Sequence, residues 1–183
     1  MKGDKVLERD YININIICIS WFMVSISGCV SGEQSTKHYN SNGVSFDYPA
    51  SWKEMNDQFP DEIETESKIL VRIVDAGNVN AEFCIEKHPL STGENLESLH
   101  NMSLDAIKRA DYQLLDSKET EIDGVKAYEV NFKADVRHVH LQQKEIWCVY
   151  NDSVYTLSCS AAPEEFGWYQ KDFNGILQSF KFN

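Results

Sequence analysis

No G-x-S-x-G, H-E-x-x-H, C-x-x-C or glycine-rich phosphate loop occurs in this sequence. Each absence removes support for a chemistry: a nucleophile elbow, a zinc-protease helix, a paired-thiol redox or zinc site, and a cradle for phosphates. Basic residues are also scarce. Lysine and arginine total 17 against 29 acidic residues, a net charge of −12. In residues 1–28 the bases Lys2, Lys5 and Arg9 cancel the acids Asp4, Glu8 and Asp10, so the whole excess falls on residues 29–183. An acidic surface of this kind repels phosphate backbones and anionic lipid headgroups, which argues against nucleic acid as a partner and against a basic-patch route to a membrane. There is no internal repeat and no low-complexity segment. Cysteines are too few and too oddly numbered for a disulfide framework.

What is present begins with an apolar leader. Residues 11–27 are largely apolar and run into Ile26-Ser27-Gly28-Cys29. An apolar run followed by small residues is a secretory signal pattern. A cysteine directly after two small residues resembles the lipobox of prokaryotic lipoproteins, in which the cysteine thiol is lipidated and the leader removed. Cys29 is therefore expected to carry lipid at the outer face of the cell membrane. The competing expectation is an uncleaved anchor, for which residues 11–27 are barely long enough. Three divisions follow: a leader at 1–28, a lipidated cysteine with a flexible polar tether at 29–38, and one α+β domain at 39–183. Hydrophobic content of 42% and aromatic content of 11% suit a chain with a packed core.

Val44, Phe46 and Tyr48 alternate on a strand that Pro49 ends, with Trp52 after a turn. Residues 69–74 and 80–87 read as strands around an Asp75-Ala76-Gly77-Asn78 turn. Residues 94–110 change to helical spacing through Leu96, Leu99, Ser103, Ala106, Ile107 and Ala110. Strands at 113–122 and 125–136 meet at Asp123-Gly124, a strong hairpin signal. Strands at 145–150 and 153–159 meet at Asn151-Asp152. A last helix is expected to start at Pro163, with Glu164 and Glu165 in its first turn and a stripe of Phe166, Tyr169, Phe173, Ile176, Leu177 and Phe180. The order β-β-β-α-β-β-β-β-α predicts a mainly antiparallel sheet covered by helices.

The segment Tyr39 to Trp52, in which Gly43 leads an alternating aromatic strand into Pro49 and then Trp52, resembles the opening of the PsbP-like proteins. The close, Leu177-Gln178-Ser179-Phe180-Lys181-Phe182 after a helix with an early proline, resembles the same family. These proteins group with Mog1 and DcrB-type domains, and the likeness spans residues 39–183. The resemblance implies an αβα sandwich of the Mog1/PsbP kind and a protein-binding role without catalysis. It places no family binding residue on this chain. Some relatives are extrinsic subunits of photosystem II and others are small exported lipoproteins. Nothing in the sequence points to a photosynthetic partner.

Several residues invite chemistry. His138 and His140, two apart on a strand, would present both imidazoles to one face and chelate an ion, with His88, Asp135 or Glu145 as a third ligand. That face is expected to continue the apolar set Tyr128 to Val136. The acidic run Asp57, Asp61, Glu62, Glu64, Glu66 lacks the ordered spacing of a calcium loop and reads as a solvated loop. Asn101 and Asn151 head glycosylation sequons. Trp168 falls off the apolar stripe of the last helix and is the expected exposed contact residue. In the hairpin around Asn151, Tyr150 should face Ser153 and Cys148 face Tyr155, which leaves Cys159 about 13 Å from Cys148 at the usual strand rise. That pair cannot bridge; a bridge from Cys84 to Cys148 or Cys159 depends on whether their strands are neighbours. No cofactor is expected. The reading that fits best is a non-catalytic, membrane-tethered envelope lipoprotein with an unidentified protein partner. Its rivals are a small-ligand or metal-binding protein using the His138/His140 face, and an unrecognised hydrolase.

Overall fold

The structure is a computed structural model that describes residues 35–55, 67–136 and 139–183. Thr36–Ser41 (β1) and Val44–Pro49 (β2) form a hairpin, and Lys181–Phe182 (β10) adds to the other side of β2. A larger sheet holds Trp52–Glu54 (β3), Lys68–Asp75 (β4), Glu82–Pro89 (β5), Gln113–Ile122 (β6), Val125–Val136 (β7), Val139–Tyr150 (β8) and Ser153–Ala161 (β9), in the order β3-β4-β5-β9-β8-β7-β6. Every pairing described is antiparallel. The expected fold class holds, with one addition: a second, three-stranded sheet. Among the described residues no helix is long and apolar enough to cross a membrane; the leader lies outside them.

Three two-residue turns set the registers. Asn42-Gly43, Asp123-Gly124 and Asn151-Asp152 all have positive φ at both positions, between 48° and 78°. This is the turn geometry whose twist matches that of the strands it joins, and Asn, Asp and Gly tolerate it best. Tyr150 pairs with Ser153 and Cys148 with Tyr155, as the sequence predicts.

The core has two parts. On one face of the large sheet, Ile73, Phe83, Ile85, Leu157 and Cys159 meet Phe46 and Tyr48 of β2 and the helix α2, Phe166–Ser179. From α2 come Phe166, Phe173 and Ile176, with Phe180 just beyond. Each such side chain buried contributes about 1.5–3 kcal/mol, which outweighs the roughly 1 kcal/mol of helix propensity lost at each of Gly167 and Gly175. On the opposite face, α1 (Leu96–Arg109) buries Leu99 and Ile107, the latter against Val130, Phe132 and Ala134. Asn95 caps α1: its side chain accepts from Ser98 N at 2.9 Å while Ser98 Oγ accepts from Asn95 N at 2.9 Å. The layers are therefore α1, the large sheet, and a third layer shared by α2 and the small sheet.

Two expectations are corrected. The last helix starts at Phe166, not Pro163. Glu165 N and Phe166 N both donate to Ala162 O in a preceding turn, and the Glu165 carboxylate accepts from Asn78 Nδ2 at 2.6 Å across to the β4–β5 turn instead of capping its own helix. A bridge from Cys84 does not form: Cys84, Cys148 and Cys159 are buried, unbridged thiols. Cys84 stands opposite Ser158, so it points to the α1 side of the sheet, while Cys148 and Cys159 point to the α2 side.

Candidate functional site

The chemically distinctive surface is on the α1 side of the large sheet, across β5, β9 and β8. The register puts Arg72, Cys84, Ser158 and Glu145 in one row. Glu86, Thr156 and Trp147 form the next row, and Glu82, Ser160 and Gln143 the row on the other side. Period-two alternation sends every one of these side chains to the same face. The opposite faces of the same strands carry Phe83, Ile85, Ile146, Cys148 and Leu157, so the strands are apolar on one side and polar on the other by sequence alone.

Glu145 is held by its own strand neighbours. Gln143 Nε2 donates to one carboxylate oxygen at 2.8 Å and Trp147 Nε1 to the other at 2.9 Å. Burial nonetheless pushes the Glu145 carboxyl up to about 7, the indole hydrogen bond working against it. Glu86 is also pushed up to about 7, first by burial and then by repulsion from Glu145 and Glu82, with a Ser67 hydrogen bond opposing. Glu82 stays with Arg72, whose guanidinium lies 2.7 Å from its carboxylate, both side chains almost fully buried. Removing one partner of such a pair costs about 3–5 kcal/mol. The face thus holds one fixed ion pair and two carboxyl groups that gain or lose a proton near neutrality, a property common at binding sites.

The sequence named Glu145 only as a metal ligand and did not single out Glu86. The alternation Glu82, Cys84, Glu86 in a central strand was a usable signal, since a strand covered on both sides reads as a continuous apolar run.

His140 and Asp135 face one another across β7 and β8, and His140 Nδ1 meets Asp135 Oδ1, both side chains well exposed. His138 lies outside the described residues. His140 does not share a face with Ala134: Ala134 pairs with Leu141 and Asp135 with His140, so His140 falls on the other side of the sheet. Of the three residues considered as a further ligand, Asp135 is beside His140, whereas His88 and Glu145 point to the opposite face. Among the described residues no group of three His, Cys, Asp or Glu side chains is arranged to hold a metal ion.

Ser117 Oγ lies 3.3 Å from His100 Nε2. The imidazole stacks on Tyr128 at 4.1 Å, and burial lowers its pKa. Its Nδ1 is buried with no hydrogen-bond partner, so the pair lacks the third group that orients the base in a catalytic triad. The Cys148 and Cys159 thiols are pushed up to about 12 by burial, far from the thiolate form that reacts. Asn101 is exposed on α1 and Asn151 at its turn. Trp168 is exposed on the first turn of α2. Cys29 and the acidic run at 57–66 lie outside the described residues.

A family model described as PsbP-like protein matches residues 25–182. The chain is similar in structure to cyanobacterial PsbP (CyanoP) from Synechocystis sp. PCC 6803, with TM-score 0.58 and 14% identity, covering 86% of this chain and 99% of that one. It is also similar to LpqN of Mycobacterium tuberculosis, a protein involved in cell envelope biogenesis, with TM-score 0.53 and 12% identity over 82% of this chain and 91% of that one. A protein of unknown function from Pseudomonas aeruginosa, PA94, gives TM-score 0.54 at 13% identity over 78% of this chain and 94% of that one. At these identities the likeness is one of fold. No curated protein matches the sequence.

Proposed function

Because this chain belongs to the PsbP-like protein family, we propose that it is a non-catalytic binding and assembly domain of the cell envelope, held at the outer face of the cell membrane by lipid on Cys29. The observation that carries the reading is the family match, which takes in Cys29 and the entire described fold as one stretch. Other observations support it. The leader ends in small residues before Cys29. The net charge of −12 leaves attachment to the lipid or the leader. LpqN, which shares the fold, is involved in cell envelope biogenesis. The Ser117–His100 pair lacks an orienting group, and two of the buried cysteines are chemically quiet.

The test has two arms on the full chain expressed in its host. Mass spectrometry of the mature amino terminus should find a lipidated Cys29, and Cys29→Ala should release the protein from membranes. An intact leader beginning at Met1, with Cys29→Ala still membrane-bound, points to the uncleaved anchor. Turnover of generic ester or peptide substrates that is lost in His100→Ala overturns the non-catalytic reading.

A second reading, a small-ligand or metal-binding protein using His138 and His140, is favoured by one observation: Asp135 already faces His140. Zinc or copper bound by purified protein and lost in His140→Ala would support it.

A further inference from the structure

Trp168 is 75% exposed, whereas Met102, Leu114 and Leu115, the other large apolar side chains left open among the described residues, stand at 40%, 45% and 41%. Single apolar residues on a surface are ordinary, but an indole open to this degree in the first turn of a helix otherwise packed on Trp52 and the core is set apart. Its neighbour Gly167 is equally unforced. A Cβ there would meet nothing within 4 Å, so packing does not demand glycine, although glycine costs the helix about 1 kcal/mol relative to alanine. The pair presents a flat backbone beside a protruding ring.

The position of that ring is linked to where the chain enters the fold. Ala50 N donates to Ser35 O at 2.8 Å. Two residues after Ala50, the Trp52 indole meets the Tyr169 ring edge-on at 5.9 Å, and Trp168 is the chain neighbour of Tyr169. Ser35 and Trp168 therefore share one end of the domain. The six residues from Cys29 to Ser35 span at most about 20 Å when extended. A lipid on Cys29 would thus keep this end of the domain within about 20 Å of the bilayer.

We propose that Trp168 is a membrane contact, its indole seated among the headgroups of the bilayer that holds Cys29. The proposal rests on the lipid-anchor reading above. Indole has an apolar body and one N–H donor, the combination that favours the membrane–water interface. One such contact is weak in free solution, but a short tether makes it intramolecular, at an effective concentration of order millimolar. Charge does not supply the orientation. Lys37 and Lys171 lie toward this end but so does Glu164, and the chain as a whole carries −12.

The test uses the full chain, purified from membranes and reconstituted into phosphatidylcholine vesicles with nitroxide-labelled headgroups. Sedimentation reports anchoring, and quenching of tryptophan emission reports docking. Wild-type protein and the Trp147→Phe variant should both show a headgroup-quenched component, and Trp168→Phe should lose it while keeping the wild-type melting temperature. Under the lipid-anchor reading Trp21 leaves with the leader, so the emission compared comes from Trp52, Trp147 and Trp168. If all three sediment with vesicles and are quenched alike, anchoring stands and the Trp168 contact is overturned. If the wild-type chain does not sediment, the anchor reading falls, and the contact falls with it.

Discussion

The indole of Trp147 and the amide of Gln143 clasp the Glu145 carboxylate from either side along one strand, at 2.9 and 2.8 Å. The clasp favours the charged carboxylate, burial favours the neutral acid, and burial wins, since Glu145 rests near 7. Glu86, two strands away on the same face, is balanced at a similar value.

Stability should therefore fall as pH rises through this range. Both carboxyls go from an ordinary 4.5 to about 7 on folding, so the folded state binds more protons than the unfolded one between those values. The stabilisation is fully present below the unfolded value and is lost as pH rises through the folded one. Thermal melts between about pH 5 and about pH 8 should show a decline of order 1–3 kcal/mol per group. Glu145→Gln, which stays neutral, should flatten the profile. A flat wild-type profile would contradict the assigned environment.

Asp123 fastens the small sheet to the large one. Its carboxylate accepts from Lys181 Nζ at 2.6 Å and from Phe182 N at 3.0 Å, and its pKa is lowered, first by the Lys181 hydrogen bond and then by that of Phe182. Asp123→Ala should cost about 1–3 kcal/mol, combining the lost bonds with an alanine forced to positive φ. Asp123→Asn, which tolerates that backbone, should cost less. The contribution of the charge is present above the ordinary carboxylate range and is lost as pH falls through the lowered pKa. Urea titration of the three proteins at neutral and acid pH checks both statements.

Cys148 and Cys159 should resist alkylation in the folded protein. Their thiols are buried and held up at about 12, so at about pH 8 almost none is thiolate. Mass spectrometry after iodoacetamide should find both unmodified in native conditions and both modified in denaturant. Rapid native labelling would mean that this part of the core opens readily.

Under the reading proposed above, zinc and copper should leave the melting temperature unchanged. His140 and Asp135 are exposed and supply two ligands, fewer than the three or four of a closed zinc site. A rise on adding either metal, absent in His140→Ala, would move the assignment to the metal-binding alternative.

What was legible in the sequence was local. Asp123-Gly124 and Asn151-Asp152 announce their hairpins because few residues accept positive φ, and the Cys148–Tyr155 register follows from counting outward. The helices followed from periodicity. What escaped was decided by distant partners. β1 is polar, with only Tyr39 buried, and exists because β2 pairs with it. β10 has two residues and depends on Asp123, which accepts from Phe182 N far along the chain. The start of α2 moved because Asn78 engages Glu165. The carboxylate face joins Glu86 to Glu145 only through the strand between them, so no single window of sequence contains it.

β10 also bears on timing. Lys181 and Phe182 pair with Ser45 and Val44, strand residues near the start of the described fold. The small sheet therefore stays incomplete until residues 181 and 182 have been made. While the chain emerges, β2 keeps an open edge and Phe180 has no seat in the core. The large sheet has all its strands by Ala161, so the fold closes in two stages, and the last strand made seals the sheet that the first strands begin.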